Sequence, residues 1–117
     1  MTGITGTMAD ITGTVKIAPE VLATIVNLTT VAVPGVVAMG TVPGHGFPLR
    51  PRHDTTRGVR LGVRQNTVTV DLYVIVAQGI NMVGTGTAIQ RAVTAAVHEM
   101  LGMDVKDVNI YIQNIES

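Results

Sequence analysis

The chain has 117 residues, 46% hydrophobic and only 14% charged, with eight basic and eight acidic side chains that cancel to zero net charge. That length suits one domain with one core between two layers, and zero net charge argues against a nucleic-acid field spread over the whole molecule. The absence of cysteine removes disulfide and thiolate chemistry, and no run reaches the roughly 18 to 20 apolar residues that span a bilayer.

Residues 1–12 are rich in Thr and Gly and read as a flexible N-terminal tail, leaving residues 13–117 as a single α+β domain. Residues 13–18 alternate, with Val15 and Ile17 on one side, and predict a short first strand. Pro19 and Glu20 suit the first turn of a helix that runs to about Thr30 on a stripe of Val21, Leu22, Ile25, Val26 and Leu28. Pro34 and Gly35 turn the chain into a short extended segment, residues 36–39. Residues 40–56 show no period. Connections longer than roughly 12 to 15 residues are usually functional or disordered.

Val59, Leu61 and Val63 alternate with Arg60 and Arg64, and Gln65 with Asn66 forms a short turn into the strongest pattern of the chain. From Val68 to Val76 every even position is aliphatic, while the odd ones carry Thr69, Asp71, Tyr73 and Ile75. A period of two puts these sets on opposite faces of a central strand. A second helix is expected from Thr85 or Thr87, either of which would cap it, with Ala88, Ile89, Ala92, Val93, Ala96, Val97 and Met100 inward and Gly102 as its stop. In the last strand, residues 105–115, Val108, Ile110 and Ile112 point inward, and Asp107, Asn109, Tyr111 and Gln113 outward. The expected order is β-α-β-β-β-α-β, with two helices packed on one face of a mainly antiparallel sheet.

The residues carry little chemistry. Gly84-Thr85-Gly86 lacks the third spaced glycine and the later acid of a dinucleotide site. His45 and His53 beside Asp54 have no recognised ligand spacing, the carboxylates come singly, and nothing resembles a nucleophile elbow. No catalytic residue, metal or cofactor is expected. Arg50, Arg52, Arg57, Arg60 and Arg64 form a basic segment suited to phosphates or to acids of another subunit. The aromatic platform of single-strand binders is missing.

Residues 13–26 (GTVKIAPEVLATIV), the turn Val33-Pro34-Gly35-Val36, residues 68–78 (VTVDLYVIVAQ), Gly79-Ile80-Asn81 and residues 105–110 together resemble the alkaline-shock protein family of bacterial envelope stress proteins. The resemblance covers residues 13–115. It implies a small non-catalytic cytoplasmic protein of Gram-positive type that self-associates as a homo-oligomer or filament. It also implies a place at the inner face of the membrane, through a membrane-anchored partner, in support of the envelope. The family offers no catalytic residues to transfer, so the expected self-association surface comes from the faces of this chain: Thr69, Asp71, Tyr73, Ile75, Asn109 and Tyr111. The alternative is a nucleic-acid or anionic-lipid module built on the arginines of residues 50–64. The Gly84-Thr85-Gly86-Thr87 stretch and the proline and arginine loop of residues 43–57 depart from the family pattern.

Overall fold

A computed structural model describes residues 12–44 and 57–117. In chain order these form α1 (Pro19–Val31), β1 (Val36–Met39), β2 (Val59–Arg64), β3 (Thr67–Ala77), α2 (Met82–Leu101) and β4 (Asp104–Glu116). β3 is the axis of the sheet. Its even side chains Val68, Val70, Leu72, Val74 and Val76 are fully buried, because both helices lie over that face: Leu22 and Val26 of α1 and Ile89, Val93 and Val97 of α2 complete the same core. Burying each such side chain contributes about 1.5–3 kcal/mol. This offsets the weak helix propensity of the Val, Ile and Thr residues in α1.

β2 returns antiparallel onto β3 through a turn at Gln65, where φ is 56°, and sets Arg60 opposite Asp71 and Leu61 opposite Val70. β1 also pairs antiparallel with β3, Met39 opposite Val74. Both lie along the same edge. The Tyr73 carbonyl accepts the Gly40 N–H at 2.6 Å, and the Tyr73 N–H donates to the Gly58 carbonyl at 2.9 Å. The two backbone groups of one strand residue point to the same side, so β1 and β2 are two halves of one edge strand, interrupted opposite Tyr73. Gly58 makes the closure: its φ is +74°, and a Cβ there would lie 2.8 Å from the Tyr73 carbonyl oxygen. β4 runs parallel to β3 along the other edge, from Thr67 opposite Asp104 to Ala77 opposite Glu116, with Lys106 and Gln113 skipped as bulges.

The expected fold class holds, and the element order holds from the first helix onward. Three local expectations change. Residues 13–18 form no ladder, and Val15 is 92% exposed; alternation alone makes no strand when β1, β2 and β4 already occupy both edges of β3. α2 starts at Met82, capped by Asn81, whose Oδ1 accepts the Gly84 N–H at 2.9 Å. Gly84-Thr85-Gly86 therefore lies inside the helix rather than before it. Met100 faces out, 67% exposed, as do Val21 and Leu28 of α1. Gly102 closes α2 as expected, with φ 68° and its N–H on the His98 carbonyl at 2.9 Å. Two buried polar residues of α1 were not anticipated. The Thr30 hydroxyl donates to the Val26 carbonyl at 2.7 Å, and the Asn27 amide donates to the Arg57 carbonyl at 3.1 Å, tying α1 to the segment entering β2.

Candidate functional site on the outer sheet face

The odd side chains of β3 project from the face that neither helix covers. Tyr73 and Tyr111 stand opposite each other on β3 and β4, and their rings stack with centroids 4.8 Å apart and planes 14° from parallel. Tyr111 is 45% exposed and shields Tyr73, which keeps only 7%. From the other side Arg60 of β2 reaches over the same ring, its Cζ 5.9 Å from the centroid.

Arg60 is the centre of the polar part. Its Nε donates to Asp71 Oδ2 at 3.2 Å and its Nη2 to the Tyr73 hydroxyl at 3.1 Å. Asp71 accepts in turn from the Asn109 amide at 2.9 Å on its other oxygen. The hydrogen bond to Asp71, and then the charge interaction with Tyr73, raise the Arg60 pKa above its ordinary value, so these contacts favour the charged guanidinium they hold. β2, β3 and β4 are thereby linked across the outer face by Arg60, Asp71 and Asn109. Thr69 donates its hydroxyl to the Gly62 carbonyl at 3.3 Å, and Ile75 is half-buried at the far end. A further residue joins the array. Gln113, at a bulge of β4, takes the Thr41 N–H at 2.9 Å and donates to the Thr41 carbonyl at 2.6 Å, clamping the chain just past β1 across the sheet.

All six expected self-association residues thus lie on one connected face. The basic set is divided. Arg60 belongs to that face, and Arg57 donates from Nε to the Gly40 carbonyl at 3.2 Å. Arg64 ends β2, exposed, while Arg50, Arg52, His45, His53 and Asp54 lie outside the described residues. The link between the two sets was readable: a two-residue turn at Gln65 and Asn66 requires Arg60 to face Asp71. The Tyr73–Tyr111 stack was not, because the register of a parallel strand arriving after a 20-residue helix has no local signature. Among the described residues no three His, Asp or Glu side chains gather to hold a metal. His98 lies 3.6 Å from Asp104, both well exposed.

A groove of about 400 Å³ lies at the border of this face, between the first turns of α2 (Met82, Val83, Thr87) and the free edge of β4 at residues 108–112. The Gln90 amide crosses it to donate to the Val108 carbonyl at 3.0 Å.

Comparison with known proteins agrees with this architecture. The chain is 26% identical over 110 residues to the uncharacterized protein YqhY of Bacillus subtilis, covering 89% of this chain and 78% of that protein. It is 25% identical over 107 residues to the uncharacterized protein Spy1614 of Streptococcus pyogenes, covering 89% and 88%, and 26% identical over 106 residues to B. subtilis YloU, covering 88% of each. Among solved structures, MamM-CTD H285A shares the fold with a TM-score of 0.50 at 15% identity, over 83% of this chain and 98% of that one. The sequence model of the alkaline-shock protein family, described as having a cell envelope-related function, matches residues 7–117, and the chain belongs to that family.

Proposed function

We propose that this chain of the alkaline-shock protein family is a non-catalytic, self-associating scaffold protein of the cell-envelope stress response. In this reading a partner protein holds it at the cytoplasmic face of the membrane, and the outer sheet face is a contact surface. The observation that carries it is the state of that face. Arg60, Asp71, Asn109 and the Tyr73–Tyr111 stack hold one another in place, so the surface is ordered before any partner arrives; neither helix covers it, and among the described residues the chain just past β1, held at Thr41 by Gln113, crosses one end of it. Rigid aromatic residues beside an arginine are the residue types that anchor protein interfaces. No described helix is long and apolar enough to cross a membrane, which suits attachment through a partner.

The test is sedimentation velocity at micromolar concentration with Tyr111→Ala and Ile75→Asp. Wild type is expected as a species larger than one chain, and each variant is expected to shift it toward smaller ones. A wild type that stays monomeric defeats the reading. Binding of anionic lipid or nucleic acid by residues 50–64 is the alternative, and it has less support because Arg57 and Arg60 are already engaged within the chain. It requires binding to RNA, DNA or anionic vesicles that falls steeply between about 50 and 200 mM salt.

A further inference from the structure

We infer that the edge of β4 that no described strand pairs is a self-complementary seam, on which a second copy of this chain pairs antiparallel about a two-fold axis at Ile110. This deepens the self-association proposed above and rests on it, but it assigns a different surface: the strand edge and the adjoining groove rather than the outer face.

The direction of the backbone groups along β4 decides which residues its outer edge presents. The odd residues of β3 turn their N–H and C=O toward β1 and β2, as the bonds of Tyr73 and Ala77 to Gly40, Gly58 and Gly35 require, so the even ones face β4. In a parallel ladder the residue opposite such a bonded residue turns its own groups away. On β4 these are Val105, Val108, Ile110, Ile112 and Ile115, opposite Val68, Val70, Leu72, Val74 and Val76. Two bonds bear this out independently. The Val108 carbonyl takes the Gln90 amide from outside the sheet, and the Ile115 N–H goes to the Asn114 side chain rather than to β3.

The spacing of these outward residues is symmetric. Around Ile110 they lie two residues away on each side, and then three further, because the bulges at Lys106 and Gln113 each add one residue to the step. A second β4, turned antiparallel about Ile110, sets Val105 against the partner's Ile115, Val108 against the partner's Ile112 and Ile110 against the partner's Ile110, with each bulged step opposite an equal one. A slip by one residue would face outward groups with inward ones, and a slip by two would set a bulge against regular strand.

The side chains agree with the backbone. Residues with outward backbone groups share one face, here the helix side, and all five are aliphatic. The seam is a row of aliphatic pairs, and the groove under α2, beside Met82 and the 81% exposed Val83, is the space they enter. Natural sheet edges are usually blunted by charge or proline. Residues 108–115 contain neither. In this register Lys106 meets the partner's Asn114 and Asp107 the partner's Gln113; only Asp104 and Glu116, at the two ends, meet like charge. The Gln90 contact is compatible, since a carbonyl oxygen accepts two hydrogen bonds, and the Ile115 N–H exchanges the Asn114 side chain for the partner's Val105 carbonyl when the seam forms.

The experiment combines a cross-link with sedimentation of the full chain. The chain has no cysteine, so Ile110→Cys introduces one thiol per copy. Directly opposed residues of a hydrogen-bonded pair have Cα atoms about 5.5 Å apart, within disulfide range, so mild oxidation is expected to give a covalent dimer. Asn109→Cys, which faces the partner's Tyr111 rather than itself, is expected to cross-link far less. Ile112→Pro removes an outward N–H and leaves the β3 ladder intact. It is expected to weaken the dimer by about tenfold or more, since two of the intermolecular hydrogen bonds are lost, and Ile112→Lys provides a second disruption by charge. Circular dichroism establishes that each variant is folded. If wild type self-associates while Ile110→Cys fails to cross-link and both Ile112 variants associate normally, the seam is wrong and the scaffold reading survives; pairing of this edge with another segment gives the same result. A wild type that stays monomeric, together with an Ile110→Cys variant that gives no cross-link, overturns both. A dimer cross-linked through residue 110 that is indifferent to Tyr111→Ala and Ile75→Asp leaves the seam standing and removes the outer face from the scaffold reading.

Discussion

Gly58→Ala is the sharpest probe of how the sheet is closed. Gly58 sits at φ +74°, and an added Cβ would lie 2.8 Å from the Tyr73 carbonyl oxygen, 3.1 Å from the Gly40 carbonyl oxygen and 3.1 Å from Met39 Cβ. The left-handed backbone costs a non-glycine residue about 1–2 kcal/mol. Two of the three close neighbours are backbone atoms that cannot step aside, so relief must come from displacing the Gly58–Tyr73 hydrogen bond, worth about 0.5–1.5 kcal/mol net. Alanine recovers about 0.4–1 kcal/mol by restricting the unfolded chain, and steric strain adds to the cost, leaving about 2–4 kcal/mol. With a urea slope of about 2 kcal/mol per molar, the unfolding midpoint should fall by about 1–2 M. Gly102→Ala is the control. Its φ is +68° with nothing within 4 Å of the added Cβ, so it carries the backbone cost alone, about 1–2 kcal/mol less the same gain from the unfolded chain. Equal midpoints for the two variants would refute the claim that β1 and β2 close against each other at Tyr73.

Asn81→Ala removes the cap on the Gly84 N–H and should cost about 1 kcal/mol of unfolding free energy, measured by urea titration, whereas a helix starting at Thr85 would leave it neutral. Leu72→Ala opens a cavity at a fully buried position of the central strand and should cost about 2–5 kcal/mol. A loss below about 1 kcal/mol by the same titration would mean that the helices do not cover that face.

The central strand was legible because a period of two over Val68–Val76 has no competing explanation, and the helix faces followed from needing to cover it. The first helix began where Pro19 placed it, and Gly102 stopped the second. The start of α2 was misread because two threonines beside glycines look like caps, while Asn81, three residues before Gly84, is the side chain whose geometry fits. Residues 13–18 show the limit of periodicity. A strand is a pairing, and no sequence pattern reports that both edges of β3 are already taken. The outer face was legible as a set of residues but not as a network, since Gln113 reaches Thr41 across 72 positions of sequence and Tyr111 meets Tyr73 only through a parallel register.

The interruption of the edge strand opposite Tyr73 bears on how this chain can vary. One residue of β3 holds both ends of the break, through Gly40 on one side and Gly58 on the other, so the chain leaves and re-enters the sheet at one point, and that anchorage does not depend on how many residues lie between. Doubling a flexible loop costs only about 0.6 kcal/mol in closure entropy. The position is therefore a port in the fold: the connection can be shortened, lengthened or replaced by a grafted binding segment without altering the register of any strand.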